Sequence, residues 1–323
     1  MKNVEKNFVT SIIYVRNAEK QVKTFLQMLI NVMEHNFEHS EIICVNDFSV
    51  DSSLDKIKEG SQFVKTTNIT VINMSYFHGL ELAMNAGMDL AIGDFVFEFD
   101  DVSLDFDDDM IMKIYRHSLK GFDIVSALPD KKEKISSKLF YKIFEKFSTH
   151  PYKMRTERFR ILSRRAINRM QSMNKMIPYR KAVYANCGLN MDQLTYSPVE
   201  CSGRNFDRGE RRYRFHLAVE ALIVFTDFGY RFSMTMTTMM ILVSLLMAVY
   251  AVAAYFVLYP VEGWTTTILF LSIVSSGLFG ILTIIIKYLQ LLVDLVFKRK
   301  HYSYESIEKM TTDQSADEGD LRK

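Results

Sequence analysis

Cysteine is scarce: Cys44, Cys187 and Cys201 are the three in 323 residues, and none is paired at metal-ligand spacing. That excludes a disulfide framework and a zinc-ribbon type of site, and it fits a reducing compartment for the soluble part of the chain. An excess of either charge is also missing. Forty Lys and Arg stand against 38 Asp and Glu, a formal net charge of +2, so the electrostatic basis for a nucleic-acid partner is absent. No GxGxxG and no GxxxxGK(S/T) occurs, which removes the phosphate cradles of dinucleotide and P-loop proteins. His35 and His39 lack the HExxH frame and read as surface histidines, and no Ser/His/Asp or Cys/His nucleophile arrangement is visible. With 48% hydrophobic and 24% charged residues, a disordered or collagen-like chain is excluded as well.

What the sequence does have is sharply segregated. Ser233 to Tyr259 contains no charged residue, and neither does Gly263 to Ile286. Each run exceeds the ~20 residues that cross a ~30 Å hydrocarbon core. The link Pro260-Val261-Glu262 has room only for a turn, so the pair reads as a transmembrane hairpin. Arg204, Arg208, Arg211, Arg212, Arg214 and Arg231 precede the first run, and Lys287, Lys298, Arg299 and Lys300 follow the second. By the positive-inside rule both termini are expected in the cytoplasm and the turn outside. Val219, Leu222, Ile223 and Phe225 follow the arginine-rich stretch at partly helical spacing, the pattern of an interfacial helix. The expected organisation is a cytoplasmic domain over 1–210, a juxtamembrane helix over 211–232, the hairpin over 233–297 and a polar cytoplasmic tail over 298–323, mobile from Ser303 to Lys323. Gly277 and Gly280 are not at the GxxxG dimer spacing, and a homo-oligomer stays open.

The soluble part alternates short apolar runs with helical periodicity. Strands are expected at Thr10–Val15, Glu41–Val45, Ile69–Ile72, Phe95–Phe99 and Asp123–Ala127. Helices are expected after the first strand, over Gly79–Leu90 and over Met110–Leu119. This alternation predicts βαβ units, an α/β fold and a largely parallel sheet. Such sheets bind ligands at the carboxyl ends of their strands, where Arg16-Asn17, Asn46-Asp47 and Asp100-Asp101 fall.

Glu98 and Asp100 are separated by one residue at the end of a strand, which places both side chains on one face with Phe97 and Phe99 on the other. A carboxylate pair there suits a divalent cation bridging protein to diphosphate; the plainer reading is an exposed strand end. Asp107, Asp108 and Asp109 belong to a helix start, where they complement its dipole. Asp47 follows a buried strand and suits a hydrogen bond to a base or ribose, or a simple turn.

On these motifs the chain resembles family 2 glycosyltransferases of the GT-A fold, and more narrowly polyprenyl-phosphate glycosyltransferases of the dolichyl-phosphate mannose synthase type. EIICVNDFSVDSS is similar to the family's EIIVVNDGSTDxT, HGLELAMNAGMDLAIGDFVFEFD to the segment leading into its DxD motif, and FRILSRRAINRM to its FRLxSRRxxDxL. SIIYVRNAEK and YRKAVYANCG match the opening strand and a later segment, and GW with KYLQLLVDLVFKRKHY matches the second span and its exit. The resemblance implies transfer of a sugar from a nucleotide donor to a membrane polyprenyl phosphate, at a bacterial inner membrane. It implies Asn17, Asp47, Asp51, His78, Gly79 and Asp100 on the donor, and Asp100 with Glu98 on Mg²⁺ or Mn²⁺. It further implies Glu157 as catalytic base, and Arg160 and Arg164 at the phosphates. The chain departs from the family where Val102 stands for the second Asp of DxD, Phe48 for the Gly of NDGS, Tyr76-Phe77 for an Arg-Asn pair, and Arg158 for an Asp. The alternative reading is a catalytically silent homologue that binds lipid or a partner. A processive polysaccharide synthase is disfavoured by the lack of QxxRW.

Overall fold

The structure, a computed structural model, describes residues 4–131, 135–147, 155–173, 179–199, 208–225 and 304–310, with isolated positions between 235 and 292. In chain order the elements are β1 (Val9–Val15), α1 (Val22–Asn36), β2 (Ser40–Asn46), α2 (Ser53–Ser61), β3 (Asn68–Met74), α3 (Leu80–Leu90), β4 (Phe95–Phe99) and α4 (Asp109–Ser118). There follow β5 (Ile124–Pro129), α5 (Ile135–Phe147), β6 (Phe159–Ser163), α6 (Arg164–Met173), α7 (Arg180–Asn186), β7 (Met191–Tyr196), α8 (Arg208–Phe225) and β8 (Tyr304–Met310).

The strands form one eight-stranded sheet in the order β7-β5-β6-β4-β1-β2-β3-β8. Its centre, β4-β1-β2-β3, is parallel throughout. Every residue of β1 is buried, as expected of a strand whose two faces are both covered. The five expected strands are all present, and β4 runs over the expected residues. On the other side β6 inserts antiparallel between β4 and β5, while β7 joins β5 in parallel. The α1 stripe Val22, Phe25, Leu26, Leu29, Ile30 and Met33 packs on one face with Phe97, Phe99, Phe106 and Phe159. Phe25 meets Phe99 edge-on at 5.3 Å between ring centroids. Asp108 caps α4, its side chain accepting from the Asp109 amide at 3.1 Å.

One expectation changes. Within the tail expected to be mobile, Tyr304–Met310 forms β8 and pairs antiparallel with β3, covering what would otherwise be an open edge. Backbone pairing overrides the polar composition because an exposed strand edge offers a row of unpaired amides and carbonyls. The chain divides into two compact units. One comprises Met1–Lys142, Tyr152–Leu217 and Lys300–Lys323; the other comprises Ile143–Pro151 and Ala218–Arg299. The uncharged runs lie mostly outside the described residues, and among the described residues no helix is long and apolar enough to cross a membrane.

Candidate functional site

The carboxyl ends of β1, β2, β3 and β4 lie along one edge of the sheet because these strands run parallel. At the β1 and β2 ends, Asp47 is fully buried and its carboxylate is shared out. Oδ1 accepts from the His78 amide at 2.8 Å, and Oδ2 accepts from the Gly79 amide at 2.9 Å and from the Tyr14 hydroxyl at 2.9 Å. Asp47 therefore ties the loop before α3 to the strand ends, a role that its place in a turn did not suggest. Gly79 has φ of 85°, and a Cβ built on it would come within 2.2 Å of Cζ of Tyr213 from α8. Glycine is required there for both reasons.

His78 is buried, its ring stacked on Tyr76 at 3.9 Å with Nδ1 2.6 Å from the Tyr76 carbonyl oxygen. Arg16 lies over the Phe77 ring, 4.0 Å from its centroid, and donates to the Asp47 carbonyl at 2.7 Å. Asn17 laces the neighbouring loop: its Oδ1 accepts from the Val50 amide at 3.0 Å, and its own amide donates to Ser49 Oγ at 3.1 Å. Asp51 accepts from the Ser53 amide and hydroxyl and from the Glu19 amide at 3.1 Å, closing the start of α2. Asn17, Asp47, Asp51, His78 and Gly79 are thus brought into one connected loop system.

A second cluster sits at the end of β4. The register pairs Glu98 with Arg160 and Phe99 with Phe159 across β4 and β6, so Arg160 shares the face of Glu98 while the phenylalanines enter the core. Arg160 donates to Glu98 Oε2 at 2.7 Å, to Asp100 Oδ2 at 2.7 Å and to Glu157 Oε2 at 3.0 Å. Arg180, at the start of α7, donates to Glu98 Oε1 at 2.7 Å, to Asp100 Oδ1 at 2.8 Å and to Glu81 Oε2 of α3 at 2.8 Å. Tyr184, one turn further along α7, donates to both Glu98 oxygens at 2.9 Å. Sequence reasoning missed Arg180 and Tyr184. Their place within YRKAVYANCG, a segment similar to the family's, and their separation of one helical turn were the only available signal.

Glu98, Arg160 and Arg180 are buried, and the Asp100 side chain is 14% exposed. Burial penalises the Asp100 carboxylate, yet the charges of Arg160, Arg180 and Lys181 outweigh it and hold the group well below the usual carboxylate range. Burial, with Glu98 beside it, pushes the Tyr184 phenol well up. A neighbouring fork completes the edge: Arg158 donates to Asp101 at 2.6 Å and to Asp105 at 2.9 Å, and Tyr196 adds a bond to Asp105 at 3.1 Å.

Three expected roles meet a different geometry. Glu98, expected on a metal, is buried and has both oxygens taken by two guanidiniums and a phenol. Glu157, expected as a base, has a side chain 5% exposed and bonded to Arg160. Arg164, expected at the phosphates, is at the opposite edge of the sheet, because β6 runs antiparallel to β4 and Arg164 lies past the Ser163–Phe95 pair. There it donates to the carbonyls of Ala91, at 3.0 Å, and of Gly93, completing the end of α3. A guanidinium at a helix C-terminus opposes the exposed carbonyls. Among the described residues no group of three or more His, Cys, Asp or Glu is arranged to hold a metal. His35 is exposed and bonded to the Asn31 carbonyl at 2.7 Å, as a surface histidine should be.

The profile of glycosyl transferase family 2 matches residues 10–187, from β1 through the end of α7. The chain belongs to that family. It is 26% identical over 183 residues to an uncharacterized glycosyltransferase of Synechocystis, covering 55% of this chain and 57% of the relative. It is 24% identical over 230 residues to the bactoprenol glucosyl transferase of Shigella phage SfV, covering 69% and 73%. The first three curated relatives are matched over 57%, 58% and 60% of their own lengths. Among solved structures, glucosyl-3-phosphoglycerate synthase of Mycobacterium tuberculosis with phosphoglyceric acid has a TM-score of 0.50 at 11% identity, covering 67% of this chain and 79% of that one. At that identity the likeness speaks to the α/β fold with its mostly parallel sheet.

Proposed function

We propose that this family 2 chain is a membrane-anchored transferase that moves a sugar from a nucleotide donor to a polyprenyl phosphate at the cytoplasmic leaflet, for a cell-surface glycan. The observation that carries this reading is the connected loop system at the carboxyl ends of β1, β2 and β3, which is the ligand edge of such a sheet. The relative named for bactoprenol supports the class of acceptor. The two uncharged runs support the anchor. After the runs, β8 pairs with β3 of the domain that precedes them, which favours a hairpin returning to the side it left.

The chemistry requires the acceptor phosphate oxygen to attack the sugar's anomeric carbon as the nucleoside diphosphate leaves. A phosphate monoester has its second pKa at about 6 and is already ionised near neutrality, so the acceptor needs no base. Glu157 then acts by holding Arg160, and Asp47 by holding the His78–Gly79 loop against the strand ends. Asn17, Asp51, Tyr76 and Arg16 frame the donor side. Mg²⁺ or Mn²⁺, which the family resemblance implies, does not fit Glu98 and Asp100 as they are arranged here, because guanidiniums face both carboxylates. That same arrangement favours a second reading, a silent homologue whose strand-end carboxylates are purely structural.

Transfer separates the readings. The purified protein in detergent would be offered labelled nucleotide-sugars and polyprenyl phosphate, alongside Asp100→Asn and Glu157→Gln variants checked for folding. Lipid-linked product is expected, reduced by both substitutions. Absence of product with every donor, from protein that is folded, would move the assignment to the silent homologue.

A further inference from the structure

The acidic end of β4 has its carboxylates committed before any ligand arrives. Both oxygens of Glu98 and both of Asp100 accept from Arg160 and Arg180. Asp101 accepts from Arg158, which also forks onto Asp105. Val102, standing where the family resemblance places a second carboxylate, is 3% exposed and packs in the apolar core. A magnesium-type ion binds through one or two carboxylates and completes its shell with phosphate oxygens and water. Here the carboxylates face guanidiniums that keep their protons at any ordinary pH. A cation could enter only by pushing a buried arginine away from its partners, which leaves an uncompensated buried charge. The cluster also carries no surplus of positive charge, since Glu81, Glu98, Asp100 and Glu157 outnumber Arg160 and Arg180.

Given a nucleotide-sugar donor at this edge, the reading on which the inference depends, we propose that Arg160 and Arg180 are positioning residues that close the β4 carboxylates to divalent cations. The chain then recognises the diphosphate of its donor without a metal. The two arginines join α3, α7, β4 and β6 into one rigid corner by geometry rather than by presenting charge to the ligand. The specificity this leaves rests on the loops around Asp47 instead of on a bridging ion.

The test uses the full chain in detergent micelles. Mn²⁺ alone is titrated and followed by the loss of the free-ion electron paramagnetic resonance signal, and UDP and GDP are titrated by calorimetry in EDTA or in MnCl₂. The wild type is expected to leave the free Mn²⁺ signal intact, and its affinity for whichever nucleotide binds should agree within about threefold between the two buffers. Arg180→Gln, which frees Oδ1 of Asp100 and leaves Oε1 of Glu98 to the Tyr184 hydroxyl alone, is expected to bind Mn²⁺ at least about tenfold more tightly than the wild type. A purely structural arginine would not produce that gain. If this variant does not fold, Arg160→Gln, which frees Oδ2 of Asp100, serves for the same comparison. Stoichiometric Mn²⁺ binding by the wild type, or a tightening of nucleotide binding by about tenfold or more in MnCl₂, overturns the inference and leaves the donor site standing. Binding of neither nucleotide in either buffer overturns the donor-site reading, and the inference with it.

Discussion

Phe48 holds φ of 54°, in the left-handed region that L side chains adopt at a cost of about 1–2 kcal/mol. The residue is 46% exposed, so little packing offsets the strain. Phe48→Gly relieves it, at a loss of about 0.5–1 kcal/mol in unfolded-chain entropy. The substitution is expected to stabilise the protein by about 0.5–1 kcal/mol, measured as a rise in Tm. A second residue carries a cost of another kind. Ser126 on β5 sits opposite Arg160, buried, and its hydroxyl has no hydrogen-bond partner among the described residues. An unsatisfied buried polar group costs about 1–3 kcal/mol. Ser126→Ala is therefore expected to be neutral or to raise stability by about 1 kcal/mol in chemical denaturation. Residue by residue, the sequence made the glycine-type position visible through NDFS. It did not reveal Ser126, because only the β5–β6 register places it under a guanidinium.

Among the elements, β8 has the largest consequence for the site. It pairs with β3 from Ile69 to Met74, with a register irregularity at Asn73 and Met74, immediately before the Tyr76–Gly79 loop. Asn73 in turn accepts from Asn46 Nδ2 at 3.0 Å, linking that edge to β2. Truncation after residue 303 exposes this edge. Hydrogen exchange of the β3 amides is expected to quicken, with α4 and β5 unchanged; uniform exchange across the sheet would show that β8 adds nothing local. The parallel centre was legible in the sequence because strands buried on both faces read as unbroken apolar runs. Both β6 and β8 escaped for the opposite reason. Arg160 and Arg164 make FRILSRR look like a surface segment, and YESIEKM alternates too many charges to announce a strand.

For the whole molecule, the ion-pair corner at β4 contributes to the acid limb of stability. The Asp100 carboxyl lies well below its ordinary range, through Arg160, Arg180 and Lys181 working against burial. A carboxyl whose pKa is lower folded than unfolded contributes its stability above the unfolded value, about 3.9. That contribution is lost as pH falls below it toward the folded value. The Tm is expected to be insensitive to this group from about pH 5 upward and to drop as pH falls below about 4. Asp100→Asn should flatten that acid limb. Because the corner is buried, added salt should change the limb little, whereas exposed pairs are screened.

Composition and patterning by themselves determined the class of the molecule. Apolar runs of strand length between helical periods specify an α/β sheet, and two long uncharged runs with basic flanks specify the expectation of an anchor. Spacing alone placed Glu98 and Asp100 on one face, since side chains alternate along a strand. Only the tertiary structure decided what that face meets. Arg160 arrives from an antiparallel neighbour and Arg180 from a helix 80 residues beyond Asp100. Whether a carboxylate is a ligand or an ion-pair partner depends on groups distant in sequence that compete for its lone pairs, and local pattern carries no record of them.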